Sequence, residues 1–311
     1  MRKILAMILA LMMISACGLA GAETVGIIQL VQHPALDAAT QGFRDALLEA
    51  IPDVQFDEQN ASGDSATCAQ IANTFVSNGV DLIMANATPA LQAAVAATAD
   101  IPILGTSVTD YGTALDLDVS VGSATGINVS GTADLAPLDG QADMITELFP
   151  EAKTVGLLYC SAEPNSVYQV NTIRGLLEEK GLTTVDYSFA DSNDVASVVQ
   201  SAVGEVDVLY IPTDNTAASV TETIAGVVIP GNLPVVAGEE GIVAGCGIAT
   251  LTISYYDLGY ATGKMAAQIL KDGADVSTMV LQAAPTFTKK YNAANAEALG
   301  VAIPEDYLPI E

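Results

Sequence analysis

The chain has 311 residues, half of them apolar and only 5% aromatic, and its formal net charge is −27. This length allows two domains, and the apolar fraction is typical of a folded, well-buried protein and excludes a disordered one. So large a negative charge repels nucleic-acid phosphates, so no nucleic-acid partner is expected.

The first 22 residues have the pattern of an export signal followed by a short tether. Arg2 and Lys3 precede an uncharged apolar run over residues 4–16, which is too short to span a bilayer. The run leads directly into Cys17, which resembles the lipidated cysteine of a bacterial lipobox. This interpretation, which we favour, predicts a lipid anchor on the extracytoplasmic face of the cell membrane. The alternative is an ordinary signal peptide cleaved after Ala22, and both alternatives predict export.

From residue 24 onward, apolar segments alternate between strand and helix patterns. Strands are predicted over residues 24–31, 54–56, 81–84 and 101–104, separated by helices that begin near residues 35, 65 and 89. Residues 106–126 are rich in Gly, Ser, Thr and Asp, which predicts a long loop and therefore a candidate functional segment. Asp116 and Asp118 in this loop lack calcium-loop spacing, because Ile127 stands where the closing Glu belongs, so no metal site is predicted.

The second half of the chain shows the same alternation more regularly. Strands are predicted over residues 154–159, 183–187, 206–211, 233–236 and 248–253. Helices are predicted over residues 138–149, 166–180, 191–203, 215–228, 255–270 and 293–299. Such alternation with short loops predicts a parallel sheet covered by helices on both faces.

One stretch of the chain occurs twice, over residues 25–50 and 155–180, at a constant offset of 130. This period is far longer than that of a solenoid repeat, so it predicts two similar lobes with a cleft between them. Arg44 and Arg174 occupy matched positions within helices, where partners one turn along the same helix are expected. The strand-to-helix loops differ between the two copies, and specificity is expected there.

Ligands of open α/β sheets bind outside the carboxyl ends of the strands, where helices begin. The loops at those positions are 32–35, 85–89, 106–111, 161–166, 212–216 and 238–241, and they contain no Lys or Arg. That absence argues against a phosphorylated ligand, whereas a zwitterion needs only one carboxylate for its ammonium and hydroxyl or helix N-terminal groups for its carboxylate. Four tyrosines in or beside these loops are expected to wall an apolar or aromatic group: Tyr111, Tyr159, Tyr168 and Tyr210.

Five segments resemble ABC transporter substrate-binding lipoproteins of the tryptophan/tyrosine-binding type, a resemblance that covers the whole mature chain. They are NASGD from residue 60, DLIMANATPA from 81, LYCSAEPNS from 158, YIPTDNT from 210 and SYYDLG from 254. The resemblance implies an α/β type I periplasmic-binding-protein fold: two Rossmann-like lobes with parallel sheets, a ligand cleft between them, and hinge closure. It places residues 24–128 and 251–275 in lobe 1 and residues 129–250 and 276–311 in lobe 2.

The resemblance also implies an ABC permease as the partner, an aromatic amino acid as the ligand, and no cofactor. The ligand-binding residues expected from it and from the loops are Thr88, Thr109, Ser161, Asn165, Ser166, Thr213, Asp214, Asn215 and Glu239. The two lobe 1 threonines are expected to donate to the ligand carboxylate, and the adjacent Asn and Ser of lobe 2 to contact it. Asp214, or failing that Glu239, is expected to pair with the ammonium. His33 lies outside the matched motifs, and a role as an ordinary loop residue is favoured over the alternative of a ligand contact.

Two other classes of function stay open on the sequence. A sugar or nucleoside could occupy the same fold, although the chain has no Trp, the usual platform for sugars. A secreted hydrolase could use Glu163 and Asp214 as an acid/base pair, although no local catalytic motif is present. The three cysteines after Cys17 have no metal-binding spacing and are either all reduced or include one disulfide: Cys68, Cys160 and Cys246.

Overall fold

Two β-sheets, each covered by helices, divide the protein into two lobes. The computed structural model describes residues 22–310, so the predicted signal and Cys17 lie outside the described residues. The strands of the first sheet are β1 Thr24–Gln29, β2 Gln55–Asn60, β3 Leu82–Asn86, β4 Ile103–Val108, β5 Val129–Ala133 and β11 Gln282–Ala283. Their spatial order is β11-β5-β4-β3-β1-β2, and all neighbours pair in parallel.

Helices cover both faces of this first sheet. They are α1 Pro34–Ala50, α2 Ser65–Asn78, α3 Thr88–Ala97, α4 Tyr111–Leu115 and α11 Tyr255–Asp272. Because strand side chains alternate between faces, β1 contributes to two cores. Ile27 packs in one core with Phe43 of α1, and Ile28 packs in the other with Phe75 of α2. The continuous apolar strands predicted from the sequence are therefore buried on both sides.

The second sheet has seven strands and forms lobe 2. They are β6 Thr154–Cys160, β7 Thr183–Phe189, β8 Val208–Ile211, β9 Val235–Ala237, β10 Ala249–Thr252, β12 Thr288–Tyr291 and β13 Leu308–Pro309. Their order is β13-β12-β10-β9-β8-β6-β7, with β12 antiparallel to β10. The helices of this lobe are α5 Leu138–Leu148, α6 Pro164–Glu179, α7 Val195–Ala202, α8 Asn215–Ser219, α9 Thr221–Val228, α10 Glu240–Gly245 and α12 Ala293–Ala298.

The chain passes between the lobes three times, at residues 134–137, 253–254 and 284–287. β5, β10 and β11, the strands before these three passages, end at residues 133, 252 and 283, which is two to eight residues after the predicted divisions at 128, 250 and 275. β5 and β11 pair within the first sheet, and β10 pairs with β9 in the second. β5 has the sequence Val-Ser-Gly-Thr-Ala, whose weak apolar character gives little strand signal. It is buried by its neighbours, so only the folded structure identifies it.

Helices α1 and α11 pack unusually closely, and this contact positions two segments of the cleft. A Cβ atom on Gly259 would lie 1.9 Å from Ala39 O, and one on Gly42 would lie 2.1 Å from Tyr256 O. Only glycine allows the two backbones to approach this closely. Both helices begin at the cleft, at Pro34 and Tyr255, so the contact fixes where those ends lie.

The two arginines at matched positions of the repeat form matched ion pairs. Arg44 contacts Glu58 of β2 at 2.7 Å, and Arg174 contacts Asp186 of β7 at 2.6 Å. Both partners lie on the strand that follows the helix, so the expected partners one turn along the same helix were wrong. The duplicated sequence has produced a duplicated helix-to-strand contact.

Candidate ligand-binding cleft

The carboxyl ends of both sheets face one another and enclose a small cavity. It is lined from lobe 1 by His33, Leu36, Ser107, Thr109, Asp134 and Tyr255, and from lobe 2 by Asn165, Thr213, Asp214, Asn215, Ala218 and Glu239. No Lys or Arg lines it. Its volume is about 10 Å³, close to the smallest space that holds one water molecule. The two lobes are therefore closed on one another, and a larger ligand requires them to separate.

Asp134 carries a carboxylate oxygen that has no partner within residues 22–310. It follows β5, is 4% exposed, and accepts a hydrogen bond from Tyr255 OH at its Oδ2 atom, 3.0 Å away. Its Oδ1 atom is buried and unpartnered. Burial raises the pKa of Asp134 to about 6, because a low-dielectric surrounding disfavours the charged form. Asp134 was not among the predicted site residues, because the strand before it, β5, has little strand signal in the sequence.

Four further buried polar atoms without partners lie on residues that line this cavity or, for Thr88, a small pocket beside it. They are His33 Nδ1, Thr88 Oγ1, Ser107 Oγ and Asn165 Oδ1. A buried polar atom left without a partner costs about 1–3 kcal/mol. Their concentration in the cleft, out of seven such atoms in the described part of the chain, indicates a site built for a polar ligand.

Two residues of this rim have strained backbones. Ala87 has φ 91° and ψ 158°, and Ser107 has φ 54°. Such angles cost a residue with a Cβ atom about 1–3 kcal/mol and concentrate at functional sites. Ala87 immediately precedes Thr88, the first residue of α3, and Thr88 lies with Thr109 and Asn165 in a small pocket beside the main cavity. The strain therefore lies where the predicted threonines and the start of α3 meet the cleft.

Asp214 and Glu239 use both of their carboxylate oxygens within lobe 2. Asp214 accepts from Cys160 N at 2.6 Å and from Ala217 N at 2.8 Å, and it caps α8. Glu239 caps α10 by accepting from the backbone N–H groups of the first turn, at 2.6 and 2.5 Å. Burial, together with neighbouring Glu163, raises the pKa of Asp214, and burial raises that of Glu239 to about 7. Both line the cavity, and each of their four carboxylate oxygens already accepts a backbone hydrogen bond.

Glu163 organises the lobe 2 side of the cleft. Its Oε2 atom accepts from Asn215 N, Asn215 Nδ2 and Asn165 Nδ2 at 3.1, 2.6 and 3.1 Å, and its Oε1 atom accepts from Thr216 N and Oγ1. Glu163 and Asp214 are thus both held by hydrogen bonds within lobe 2. Asn165 also donates to Thr213 O at 3.1 Å, and this leaves its Oδ1 atom for the cavity.

Two side-chain hydrogen bonds at the cavity join the lobes directly. His33 Nε2 lies 3.2 Å from Asn215 Oδ1, and Gln169 Nε2 donates to Thr109 Oγ1 at 3.0 Å. Gln169 is held in lobe 2 by Thr213, whose N–H donates to its Oε1 atom at 3.1 Å. Gln169 was not among the predicted site residues, because it lies inside α6 and away from the strand-to-helix loops.

Some predicted site residues lie away from the cavity. Ser161 is exposed and donates to Phe189 O at 3.1 Å, outside the cleft lining. Ser166 is fully buried beneath Asn165 and does not line the cavity. Of the predicted tyrosines, Tyr168 lines the small side pocket, whereas Tyr210 is buried in the lobe 2 core. The tyrosine of the main cavity is Tyr255, the first residue of α11.

The cysteines in the described part of the chain do not line the cavity. Cys68, Cys160 and Cys246 are buried free thiols, and burial raises the pKa values of the first two to about 11. Across residues 22–310, no three His, Cys, Asp or Glu side chains are placed to hold a metal ion. Within the same range, no helix has the length and apolar character needed to cross a membrane.

Comparison with solved structures identifies the fold. The protein superposes on an ABC domain from Streptococcus pneumonia in complex with L-Trp, with TM-score 0.87 and 34% identity over 92% of this chain and 97% of that one. Against the ligand-free, open structure of a substrate-binding protein with adhesive properties from Clostridium difficile, the TM-score is 0.70 with 37% identity, covering 93% and 99% of the two chains. A myo-inositol-bound ABC solute-binding protein from Bacillus halodurans, 16% identical with TM-score 0.65, shares the fold alone over 91% of this chain and 99% of that one. These matches confirm the predicted type I periplasmic-binding-protein fold.

Comparison of sequences gives the family. The chain is 38% identical over 256 residues to a tyrosine-binding protein from Clostridioides difficile, a match that covers 80% of this chain and 73% of that relative. The family model described as ABC transporter substrate binding protein matches residues 24–310. The protein therefore belongs to the ABC transporter substrate-binding protein family.

Proposed function

We propose that this protein binds an aromatic amino acid between its lobes and delivers it to an ABC permease. The observation that carries the proposal is the unpartnered Oδ1 atom of buried Asp134, in a cavity lined by hydroxyl, amide and carboxylate groups but by no Lys or Arg. A buried carboxylate with a free oxygen favours a cationic partner such as an ammonium. A zwitterionic amino acid supplies that ammonium without a net negative charge.

Asp134 replaces Asp214 and Glu239 as the proposed partner of the ligand ammonium, because of the three carboxylates only Asp134 has an oxygen that accepts no hydrogen bond. The ligand carboxylate then contacts Thr88 and Ser107, whose hydroxyls are buried and unpartnered. Thr88 opens α3, a ten-residue helix whose N-terminal N–H groups favour a negative charge. Asn165 offers its free Oδ1 atom from the opposite lobe as a second acceptor for the ammonium.

The aromatic character of the ligand rests on the apolar lining and on the relatives. Leu36, Ala218 and Tyr255 supply apolar surface to an otherwise polar cavity. One matched relative is named a tyrosine-binding protein, and one matched structure holds L-Trp. A sugar or nucleoside is the alternative ligand, and the matched structures of sugar-binding proteins or with sugar-like ligands are only 13–16% identical to this chain.

Delivery to a permease requires the lobes to open and close. The fit to the L-Trp complex is better than the fit to the open, ligand-free structure, although the sequence identity is slightly lower. This ordering supports a closed arrangement of the lobes here. We further propose that Cys17 is lipidated and tethers the protein to the extracytoplasmic face of the membrane, because a tethered receptor stays close to its permease.

A ligand panel tests the proposal. Since a ligand that binds only the folded state stabilises it by mass action, tyrosine, tryptophan or phenylalanine at 100 times its Kd is expected to add about 2.7 kcal/mol to the free energy of unfolding. Thermal unfolding is measured with each of these, with glycine as the control lacking a side chain, and with inositol, glucose and a nucleoside. Stabilisation by a sugar or nucleoside, with no response to the three aromatic amino acids, would refute the proposed ligand class.

A further inference from the structure

His33 joins the two lobes through one ring nitrogen and leaves the other without a partner. It is the only histidine of the chain and is 6% exposed. Its Nε2 atom lies 3.2 Å from Asn215 Oδ1, and its Nδ1 atom is buried with no hydrogen-bond partner among residues 22–310. His33 precedes α1 without capping it through its side chain. The burial of an unpartnered Nδ1 atom is therefore not explained by helix capping or by any hydrogen bond among the described residues.

Glu163 fixes the orientation of Asn215. The Asn215 amide nitrogen donates to Glu163 Oε2 at 2.6 Å, and Asn215 N donates to the same oxygen at 3.1 Å. A flipped amide would place the Asn215 oxygen against a carboxylate, which is repulsive. The amide oxygen must therefore face His33, and because that oxygen only accepts, the His33 Nε2 atom must carry the proton.

A neutral imidazole with its proton on Nε2 has an acceptor at Nδ1. Burial lowers the pKa of His33, which favours the neutral form. The unpartnered atom is therefore a buried acceptor on a residue that lines the ligand cavity. Its natural partner is a hydrogen-bond donor on the ligand.

Apolar side chains from both lobes line the same cavity as His33. Leu36 follows His33 by three residues at the start of α1, and Ala218 follows Asn215 by three residues in α8. Residues three apart on a helix share a face, and all four of these line the cavity. The site therefore combines a surface for an apolar ring with one acceptor that needs a donor.

We propose that His33 is a specificity-determining residue whose Nδ1 atom accepts a hydrogen bond from the side chain of the ligand, from a phenol O–H or an indole N–H. This inference rests on the proposed amino-acid function, in which Asp134 and not His33 takes the ammonium. It predicts selection of tyrosine and tryptophan over phenylalanine, because phenylalanine would leave a buried acceptor unpaired. The relative affinity for tyrosine and tryptophan depends on ring size and is measured in the same calorimetry.

Calorimetry on the full mature protein tests this selection. The wild type is expected to bind tyrosine or tryptophan about 10- to 100-fold more tightly than phenylalanine. His33→Leu is expected to remove most of this preference by weakening the donor-bearing ligand, while Gln32→Leu, at the exposed neighbouring position, keeps it. An unchanged preference in His33→Leu, or equal weakening of all three ligands, overturns the role of His33. If the wild type binds none of the three aromatic amino acids, the proposed function itself is overturned.

A second measurement needs no substitution. With a single histidine and no affinity tag that adds others, the ¹⁵N spectrum of histidine-labelled protein reports this ring alone. The Nε2-protonated neutral tautomer is expected without ligand, with an Nδ1 signal that moves on addition of tyrosine or tryptophan and much less with phenylalanine. A proton on Nδ1 in the unliganded protein, or the same shift with all three ligands, overturns the inference.

Discussion

The side-chain amide of Gln169 in lobe 2 donates to the hydroxyl of Thr109 in lobe 1 at 3.0 Å. The same amide nitrogen donates to Thr213 Oγ1, and the amide oxygen accepts from Thr213 N at 3.1 Å. Lobe 2 therefore holds Gln169 in one orientation before lobe 1 arrives. A bond that forms only on closure contributes to the stability of the closed state and not to that of either lobe.

Gln169→Leu is expected to favour the open form and weaken ligand binding. One net hydrogen bond is worth about 0.5–1.5 kcal/mol, so the expected loss of affinity is about 2- to 10-fold, seen mainly as faster dissociation. Stopped-flow fluorescence measures the dissociation rate, and small-angle scattering measures closure. Gln70→Leu, on the exposed face of α2, is the matched control. If the variant had the dissociation rate of the wild type, the Gln169–Thr109 hydrogen bond would not stabilise the closed form.

Asp134→Asn is expected to abolish most ligand binding while leaving the fold intact. The variant removes the negative charge that pairs with the ammonium, and a charge-assisted hydrogen bond is worth about 1.5–3 kcal/mol, or about 10- to 100-fold in affinity. Without ligand at pH 7.5, its melting temperature should equal or exceed that of the wild type, because the buried carboxylate is costly when ionised. The exposed Asp100→Asn is the control, and undiminished affinity in Asp134→Asn would rule out the assigned role.

Ligand affinity is expected to rise with pH between about 5 and 7 and then to level. The pKa of Asp134 is raised to about 6, so below that value the site is protonated and an ammonium must displace the proton. Binding should then release protons, which calorimetry in two buffers of different ionisation enthalpy detects. Glu239 also lines the cavity, and its pKa is raised to about 7. A pH dependence of affinity that is lost in Asp134→Asn therefore belongs to Asp134, and one that remains belongs to Glu239. If the affinity of the wild type did not change between pH 5 and 7, the proposed pairing of Asp134 with the ammonium would be contradicted.

The same raised pKa has the opposite effect on the unliganded protein. Between about pH 4 and 6 the unfolded chain loses the Asp134 proton while the folded protein keeps it, so the folded state binds more protons. The free energy of unfolding is therefore expected to decrease as pH rises through this window at this site. Comparison of wild type and Asp134→Asn by urea unfolding at pH 4.5 and 6.5 isolates the effect. A difference between the two proteins that does not change with pH would count against it.

Gly259→Ala is expected to destabilise lobe 1, and Gly175→Ala is the matched control. A Cβ atom at residue 259 would lie 1.9 Å from Ala39 O, whereas one at residue 175, inside α6, would meet nothing within 4 Å. Overpacking costs about 1–3 kcal/mol or more, while an open helical Gly→Ala change gains about 0.5–1 kcal/mol. Urea unfolding measures both, and equal effects of the two changes would contradict the close approach of α1 and α11.

Cys17→Ser is expected to release the protein from the membrane, because the acyl chains attach through the thiol. Fractionation of cells that express wild type and variant measures the distribution, and metabolic labelling with a fatty acid measures lipidation. Release with loss of the label is the expected result. A wild type without label favours cleavage after Ala22 instead, and a variant that stays in the membrane fraction contradicts an anchor at Cys17.

The local sequence pattern was sufficient to predict the architecture. Repeated apolar strands, helix caps and the matched segments at residues 25–50 and 155–180 predicted two parallel α/β lobes, because burial on both faces of a strand leaves a direct trace in the sequence. The same pattern placed Thr88, Thr109, Asn165, Thr213 and Asn215 near the cleft, since the carboxyl ends of parallel strands meet along one edge. Short, weakly apolar strands such as β5 and β11 left no such trace.

The identity of the free groups was decided only by the tertiary structure. The sequence predicts the strands that precede Asp214 and Glu239, but not the strand before Asp134, and it does not show which carboxylates accept hydrogen bonds from the backbone. Folding ties Asp214 and Glu239 to helix N-termini and leaves one oxygen of Asp134 unpaired. In the same way, Glu163 orients Asn215 and so sets the tautomer of His33 across the cleft. The sequence determined the scaffold through local burial patterns, whereas hydrogen bonds between distant residues determined which atoms remain for a ligand.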